Sequence, residues 1–103
     1  MVVEYIRYKV EGSQREAFLD SYRRAAGPLD ASDQCLAYEL SECEEEAGQF
    51  ILRIEWTSTA EHLNGFRKSP LFPQFFSSIK PYLNQIQEMR HYKVTDVTKR
   101  KGD

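Results

Sequence analysis

The chain has 103 residues, of which 41% are apolar and 29% are charged, and its formal net charge is -2. This length fits one domain with a modest core, and the near-neutral charge balance argues against general attraction to nucleic acid or to an anionic membrane. No apolar run approaches the ~20 residues of a membrane helix, and the N-terminus lacks the continuous apolar stretch of a signal peptide, so we expect a cytoplasmic protein.

Residues 2–10 alternate apolar with polar side chains and are rich in β-branched and aromatic types, which predicts a first strand. Ser13 and Glu16 predict a capping box at the start of a helix. An apolar stripe runs along that helix, at Phe18, Tyr22, Ala25 and Leu29. Gly27 and Pro28 should kink or end the helix, although the chain permits a further turn to about Ala31.

Residues 35–43 and 49–56 predict two strands joined by a charged hairpin turn. The three adjacent glutamates of that turn do not converge, so they predict a solvated loop rather than a metal site. Leu36, Tyr38 and Leu40 should share one face of the earlier strand. In the later strand one face is strongly apolar: it carries Phe50, Leu52, Ile54 and Trp56.

Cys35 and Cys43 bracket a single predicted strand. Eight residues of strand span about 26 Å, whereas a disulfide needs Cα atoms within about 7 Å. We therefore expect no bridge between these cysteines within one chain. No spacing of cysteine and histidine predicts a zinc site, so we expect no metal.

Ser58 and Glu61 form a second predicted capping box, which starts a short helix through Phe66. Ser69 and Pro70 predict the start of another helix, ending at Pro81. Its apolar stripe comprises Leu71, Phe72, Phe75, Phe76 and Ile79. Residues 84–97 alternate again and predict a last strand, and residues 98–103 predict a disordered basic tail.

The order β-α-β-β-α-α-β predicts one α+β domain over residues 1–97. Helices on one face of a four-stranded antiparallel sheet give a ferredoxin-like split βαβ layer. The other face should combine apolar Val3, Tyr5 and Ile51 with charged Arg7 and Arg53. Such a face suits pairing with a second copy in a C2 homodimer, and the alternative is an open-faced monomer.

Residues 54–83 resemble the antibiotic biosynthesis monooxygenase family, and elements that match in type and spacing extend the resemblance to residues 2–97. The residues that carry it are Trp56, Glu61, His62, Ser69, Pro70, Phe72 and Phe75. The resemblance implies a homodimeric α/β barrel. It also implies oxidation of a quinol or aromatic substrate with dioxygen and without metal, flavin or another cofactor, although many members have no established activity.

The heme-degrading branch of that family uses an Asn, a Trp and a His at places that correspond here to Tyr5, Gly65 and Phe76. Because the position of the axial ligand holds Phe76, the resemblance argues against heme degradation. Trp56 matches the strand-end Trp of the wider family and not the heme-contacting one.

Cofactor-free oxygenation requires a base, an apolar pocket for the ring and donors that stabilise an oxyanion. His62 is the first candidate base because its ordinary pKa lies near neutrality, and Trp56 offers a ring platform with an N–H donor. Arg67 could hold an anionic oxygen, and Tyr5 and Tyr38 could line a cleft. The candidates for an apolar pocket wall are Phe66, Phe72, Phe75 and Phe76.

Each of these residues also has a purely structural interpretation. His62 could pack at a helix edge, Trp56 and the phenylalanines could be ordinary core, and Arg67 could be a solvated residue at a helix end. His91, beside Arg90 in the last strand, is expected on the surface, with the dimer seam as the alternative.

The sequence therefore leaves three alternative functions. The first is a cofactor-independent monooxygenase acting on a small aromatic or quinol, and the second is a non-catalytic small-molecule-binding or stress-response dimer. The third is an isomerase or lyase, which would need His62 paired with Glu55 or Glu88. No phosphate-binding loop, dinucleotide fingerprint or hydrolase motif is present, so nucleotide-dependent and classical hydrolytic chemistry are poorly supported.

Overall fold

The computed structural model describes residues 1–102. Its strands are β1 (Val2–Lys9), β2 (Cys35–Glu42), β3 (Gln49–Trp56) and β4 (Ile86–Lys93). Its α-helices are α1 (Arg15–Ala31) and α2 (Leu71–Ile79). A π-helical segment, Glu61–Phe66, precedes α2, and 3-10 turns lie at Gly12–Gln14 and Lys80–Gln85. No helix within residues 1–102 is long and apolar enough to cross a membrane.

The four strands form one antiparallel sheet in the order β2-β3-β1-β4. This is the ferredoxin-like topology, so the predicted α+β fold class is confirmed. The core lies between the helices and the inner face of the sheet. The predicted apolar face of β3 is confirmed, because its four side chains are at most 1% exposed: Phe50, Leu52, Ile54 and Trp56.

The start of α1 differs from the sequence prediction. Ser13 lies in the 3-10 turn, where the N–H of Gln14 donates to the carbonyl of Glu11 at 2.9 Å, and no side chain caps α1. The predicted capping box is wrong because Ser13 lies inside the 3-10 turn, and the N-cap position of α1 is held by Gln14. Glu16 accepts a hydrogen bond from Arg15 instead.

Helix α1 also continues through Pro28 to Ala31, so the helix does not end at Gly27 and Pro28. Pro28 and Leu29 are both buried. Burial of these apolar side chains favours the extra turn and offsets the backbone hydrogen bond that proline cannot make.

The register between β2 and β3 shifts between Cys35 and Ala37. Leu36 is the unpaired residue of this bulge and is 57% exposed, so the prediction that it shares a face with Tyr38 and Leu40 is wrong. Cys35 lies opposite Trp56 in its stead. Both Cys35 and Cys43 are free, as predicted.

Strand β4 is shorter than predicted at both ends. Residues 84 and 85 belong to the 3-10 turn Lys80–Gln85. The strand ends at Lys93 because its partner β1 begins at Val2, directly opposite. Residues 98–102 contain no helix or strand, and Asp103, the last residue of the predicted disordered tail, lies outside the described residues.

Candidate functional site

His62 is presented to the sheet by the π-helical segment Glu61–Phe66. The Ser58 hydroxyl accepts a hydrogen bond from the N–H of Glu61 at 2.9 Å, which confirms the hydroxyl half of the predicted capping box. The N–H of Arg67 bonds the carbonyl of His62, five residues earlier, at 3.0 Å. Both His62 and Phe66 of this segment are buried, and π-helical turns are frequent at functional sites.

His62 meets His91 of β4 and Glu4 of β1 on the inner face of the sheet, and we call these three residues the Glu4–His62–His91 triad. His62 Nδ1 lies 2.6 Å from His91 Nε2. Glu4 Oε1 is 3.7 Å from His62 Nε2, and Glu4 Oε2 is 4.0 Å from His91 Nε2. Glu4 and His91 are direct cross-strand neighbours in the β1–β4 pairing. Three elements therefore converge on one polar cluster.

Trp56 fixes the position of two members of the triad. Its indole N–H donates to Glu4 Oε1 at 3.1 Å. Its ring stacks on the imidazole of His62, with centroids 4.2 Å apart and planes inclined by 11°. Because Trp56 is fully buried, the packed core sets the geometry of the polar cluster.

Burial lowers the pKa of His62 to about 4, with further contributions from the nearby Arg67 cation and from His91. Burial and Arg67 also lower the pKa of His91. Burial raises the pKa of Glu4, opposed by the hydrogen bond from Trp56 and by Arg67. At neutral pH both imidazoles are therefore mainly uncharged, and one donates its N–H to the other ring.

An apolar cavity of about 240 Å³ opens beside the triad. Its aromatic walls comprise Trp56, Phe66, Phe72, Phe75 and Phe76. Glu4, His62 and Arg67 form its polar end. The guanidinium carbon of Arg67 lies 6.0 Å from the ring centroid of Phe72, at the limit of a cation–π contact. The cavity can hold an apolar ring while presenting a cation, an imidazole and a carboxylate to its substituents.

Most of the residues that the sequence predicts for the site line the cavity. These are His62, Trp56, Phe66, Arg67, Phe72, Phe75 and Phe76. Tyr5 lies apart from them on the outer face of the sheet, where it packs edge-on against Tyr92. Tyr38 lies on the edge strand β2, and its hydroxyl donates to Asp30 of α1 at 2.7 Å. Neither of these two tyrosines lines the cavity.

Sequence reasoning missed Glu4 and misplaced His91. Strand alternation puts Glu4 on the same inner face as Ile6 and Tyr8. A carboxylate on an otherwise apolar face could have identified Glu4 as a candidate site residue from the sequence. The expectation that His91 lies on the surface or at a dimer seam is wrong. The register of β4 turns His91 inward, opposite Glu4.

The two carboxylates that an isomerase or lyase would need beside His62 face away from it. Glu55 pairs with Arg53 at 3.0 Å, and Glu88 pairs with Arg7 at 3.7 Å, all on the outer face of the sheet. The predicted acid/base pairs for an isomerase or lyase are therefore not formed. Glu4 is the carboxylate that accompanies His62.

Comparison with known proteins bears on both the fold and the family. The model of the antibiotic biosynthesis monooxygenase family matches residues 1–77. The chain is 24% identical over 92 residues to the uncharacterized protein YczJ of Bacillus subtilis (strain 168), which covers 89% of this chain and 97% of the relative.

Solved structures with the same fold include a conserved protein from Methanosarcina mazei Go1, with a TM-score of 0.76 at 15% identity, covering 91% of this chain and 92% of that one. Rv0793 from Mycobacterium tuberculosis gives a TM-score of 0.73 at 19% identity, covering 92% and 95%. A structure described as an antibiotic biosynthesis monooxygenase gives 0.74 at 16% identity, covering 92% and 99%. At these identities the likeness establishes the fold.

Proposed function

The chain belongs to the antibiotic biosynthesis monooxygenase family, and from that premise we propose that it is a cofactor-independent monooxygenase acting on a small aromatic or quinol with dioxygen. The observation that carries the proposal is the contact between the Glu4–His62–His91 triad and the aromatic cavity. The candidate base, the cation that would stabilise the oxyanion and the aromatic wall that would bind the ring then lie next to one another.

The size of the cavity supports a compact substrate. A cavity of about 150 Å³ in another protein accommodates benzene. The cavity here, at about 240 Å³, suits one substituted ring or two fused rings. Phe66 and Phe75 contact each other edge to face with centroids 5.6 Å apart, a preferred arrangement of aromatic rings that gives the wall a defined shape.

The first step is removal of a phenolic proton. His62 accepts this proton on an uncharged imidazole, and the Glu4 carboxylate, whose Oε1 lies 3.7 Å from His62 Nε2, stabilises the imidazolium that results. Arg67 stabilises the phenolate oxygen at the same end of the cavity. These interactions favour the substrate anion, which reduces dioxygen more readily than the neutral phenol does.

The overall reaction is balanced without an external reductant. The quinol and dioxygen give a hydroxyquinone and water, so one oxygen atom enters a ring carbon and the other leaves as water. The substrate ring supplies the electrons that reduce dioxygen, and both water protons come from the quinol. The polypeptide binds the ring, takes up the phenolic proton and returns it to the departing oxygen.

The test is oxygen uptake by the purified protein, freed of metals and flavin, with a panel of monocyclic and bicyclic hydroquinones, corrected for autoxidation. With ¹⁸O₂ the product should gain one labelled oxygen atom. His62→Ala should lower the rate by about 10²–10⁴-fold, the usual contribution of a general base. Tyr38→Phe is the matched control and should leave the rate unchanged, because Tyr38 lies outside the cavity.

Two results would contradict the proposal: no protein-dependent oxygen uptake across the panel, or a His62→Ala variant as active as the wild type. Thermal stabilisation by hydroquinones without turnover would instead support the second function, a small-molecule-binding protein. That function requires the cavity but not the triad, so the two predict different effects of His62→Ala.

We also propose that the protein acts as a homodimer through the outer face of the sheet. Ile51 and Tyr92 on that face are 42% and 43% exposed in the single chain. Arg53, two residues from Ile51 on β3 and paired with Glu55, offers charges to a second copy. A C2 partner would cover these side chains and place the two sheets back to back.

A further inference from the structure

The Glu4–His62–His91 triad has the donor composition of a metal site as well as that of a base. We propose that it binds one divalent first-row transition cation, for which Zn²⁺ is the probe, and that the bound cation inhibits oxygenation. The inhibition rests on the proposed function, whereas the binding does not.

The donor atoms are gathered closely enough for one ion. Within residues 1–102, one ligand atom from each triad residue lies within 4.8 Å of the others. Two imidazoles and one carboxylate are a common donor set for Zn²⁺ and for Fe²⁺ with an open coordination position. Zinc ligands at about 2.0–2.2 Å from the metal lie about 3.3 Å apart in a tetrahedron. The separations of 2.6 Å between the imidazoles and 4.0 Å from His91 to Glu4 bracket that value, so small side-chain shifts suffice.

The surroundings of the triad favour ligation. Each imidazole can present a lone pair, because the hydrogen that now bridges the two rings can move to the other nitrogen of its own ring, and the cation then takes its place. Trp56 donates to Glu4 and stacks on His62, as the outer partners of metal ligands do. The same lone pair of His62 cannot serve both a cation and a substrate proton, so occupancy removes the base.

Arg67 opposes cation binding, because its positive charge acts on all three members of the triad. Substitution of Arg67 by an uncharged side chain of similar length should therefore have opposite effects on the affinity for Zn²⁺ and on the affinity for a phenolate. Arg67→Met should bind Zn²⁺ several-fold more tightly than the wild type and should bind a phenolate less tightly.

The experiment is calorimetric titration of the metal-free protein with Zn²⁺ at neutral pH, with visible absorption of bound Co²⁺ as a second readout. We expect one cation per chain. His91→Gln and Glu4→Gln should each weaken binding by at least about tenfold, and Trp56→Phe by about 10–100-fold. The Cys35→Ser, Cys43→Ser double variant is the control and should bind Zn²⁺ like the wild type, because neither thiol belongs to the triad.

The chain contains only two histidines, so no other histidine site can account for the signal. Absence of Zn²⁺ binding, or equal binding by wild type and both triad variants, would overturn the proposal. Circular dichroism checks the fold of each variant, and the tighter binding expected of Arg67→Met cannot arise from misfolding. Zinc binding with no oxygenase activity would refute only the proposed function, whereas binding without inhibition of an active enzyme would refute the inhibition.

Discussion

His62 is held between two rings. Trp56 stacks on one face of its imidazole, and His91 shares a short hydrogen bond with its Nδ1. The residue is 4% exposed, and its backbone lies in a turn with a π-type hydrogen bond. These contacts restrict its rotation, which keeps the imidazole aligned with the cavity and lowers the entropy cost of the reaction geometry.

The hydrogen bond from Trp56 to Glu4 gives a prediction for stability. Trp56→Phe leaves a buried carboxylate oxygen without its donor, so the free energy of unfolding should fall by about 1–3 kcal/mol. Urea denaturation measures the change. Tyr38→Phe removes an exposed hydroxyl bond and should change stability by less than about 0.5 kcal/mol; equal losses in the two variants would contradict this account.

A second prediction concerns Gly48, which has a φ of +87° in the hairpin turn. A Cβ there would overlap the carbonyl oxygen of Val10, and the carbonyl of Gly48 itself accepts the Val10 N–H at 2.7 Å. Gly48→Ala should therefore lose about 1–3 kcal/mol in urea denaturation. Gly12→Ala, where a Cβ meets open space, should stay within about 0.5 kcal/mol of the wild type.

At the scale of elements, Glu42 ties three segments together. Its carboxylate accepts hydrogen bonds from Arg15 of α1, including one from Nη2 at 2.7 Å, and one from the N–H of Gly48 at 3.1 Å. The start of α1 is thus fixed to the end of β2 and to the following turn. The hydrogen bonds from Arg15 and Gly48 lower the pKa of Glu42 below its ordinary 4.5.

This shift predicts a pH dependence. Because the pKa of Glu42 is lower in the folded state, its stabilisation is present above about pH 4.5 and is lost as the pH falls through the folded-state pKa. Glu42→Gln should be less stable than the wild type at neutral pH, and the gap should close in acid. Denaturation over a pH series tests this, with Glu44→Gln in the exposed turn as control; a gap that persists in acid would contradict it.

At the scale of the whole molecule, the sheet separates two surfaces with different roles. The inner face holds the core, the triad and the cavity. The outer face carries Arg7 paired with Glu88 and Arg53 paired with Glu55, among exposed apolar groups. Dimerisation through the outer face would leave the chemistry of the inner face within each chain.

If the proposed dimer forms through the outer face, one charged substitution on that face should dissociate it. Ile51→Glu places a charge on the outer face, so the variant should sediment as a monomer at micromolar concentration while the wild type sediments as a dimer. Leu63→Glu is the matched control, since Leu63 is 40% exposed but belongs to the π-helical segment, and it should remain dimeric. A monomeric wild type would refute the dimer.

The sequence by itself determined the order of the strands and of the two α-helices, the inner face of β3 and the aromatic wall of the cavity. Alternation of side chains along a strand and apolar stripes along a helix are patterns within one short segment, because burial of one face selects apolar residues at fixed spacing. The alternation over Phe50–Trp56 and the Phe72–Phe75 stripe could therefore be predicted from the sequence. Local backbone competition explains the misses: a 3-10 turn displaced the Ser13 cap, and a bulge exposed Leu36.

Only the tertiary structure decided the composition of the polar site. Glu4 and His91 come from opposite ends of the chain, and they become neighbours through the β1–β4 register, which no local pattern specifies. The π turn then delivers His62 to the same point. The triad depends on strand pairing between distant segments, whereas the cavity wall depends on periodicity within one segment, and that difference separates what could be predicted from what could not.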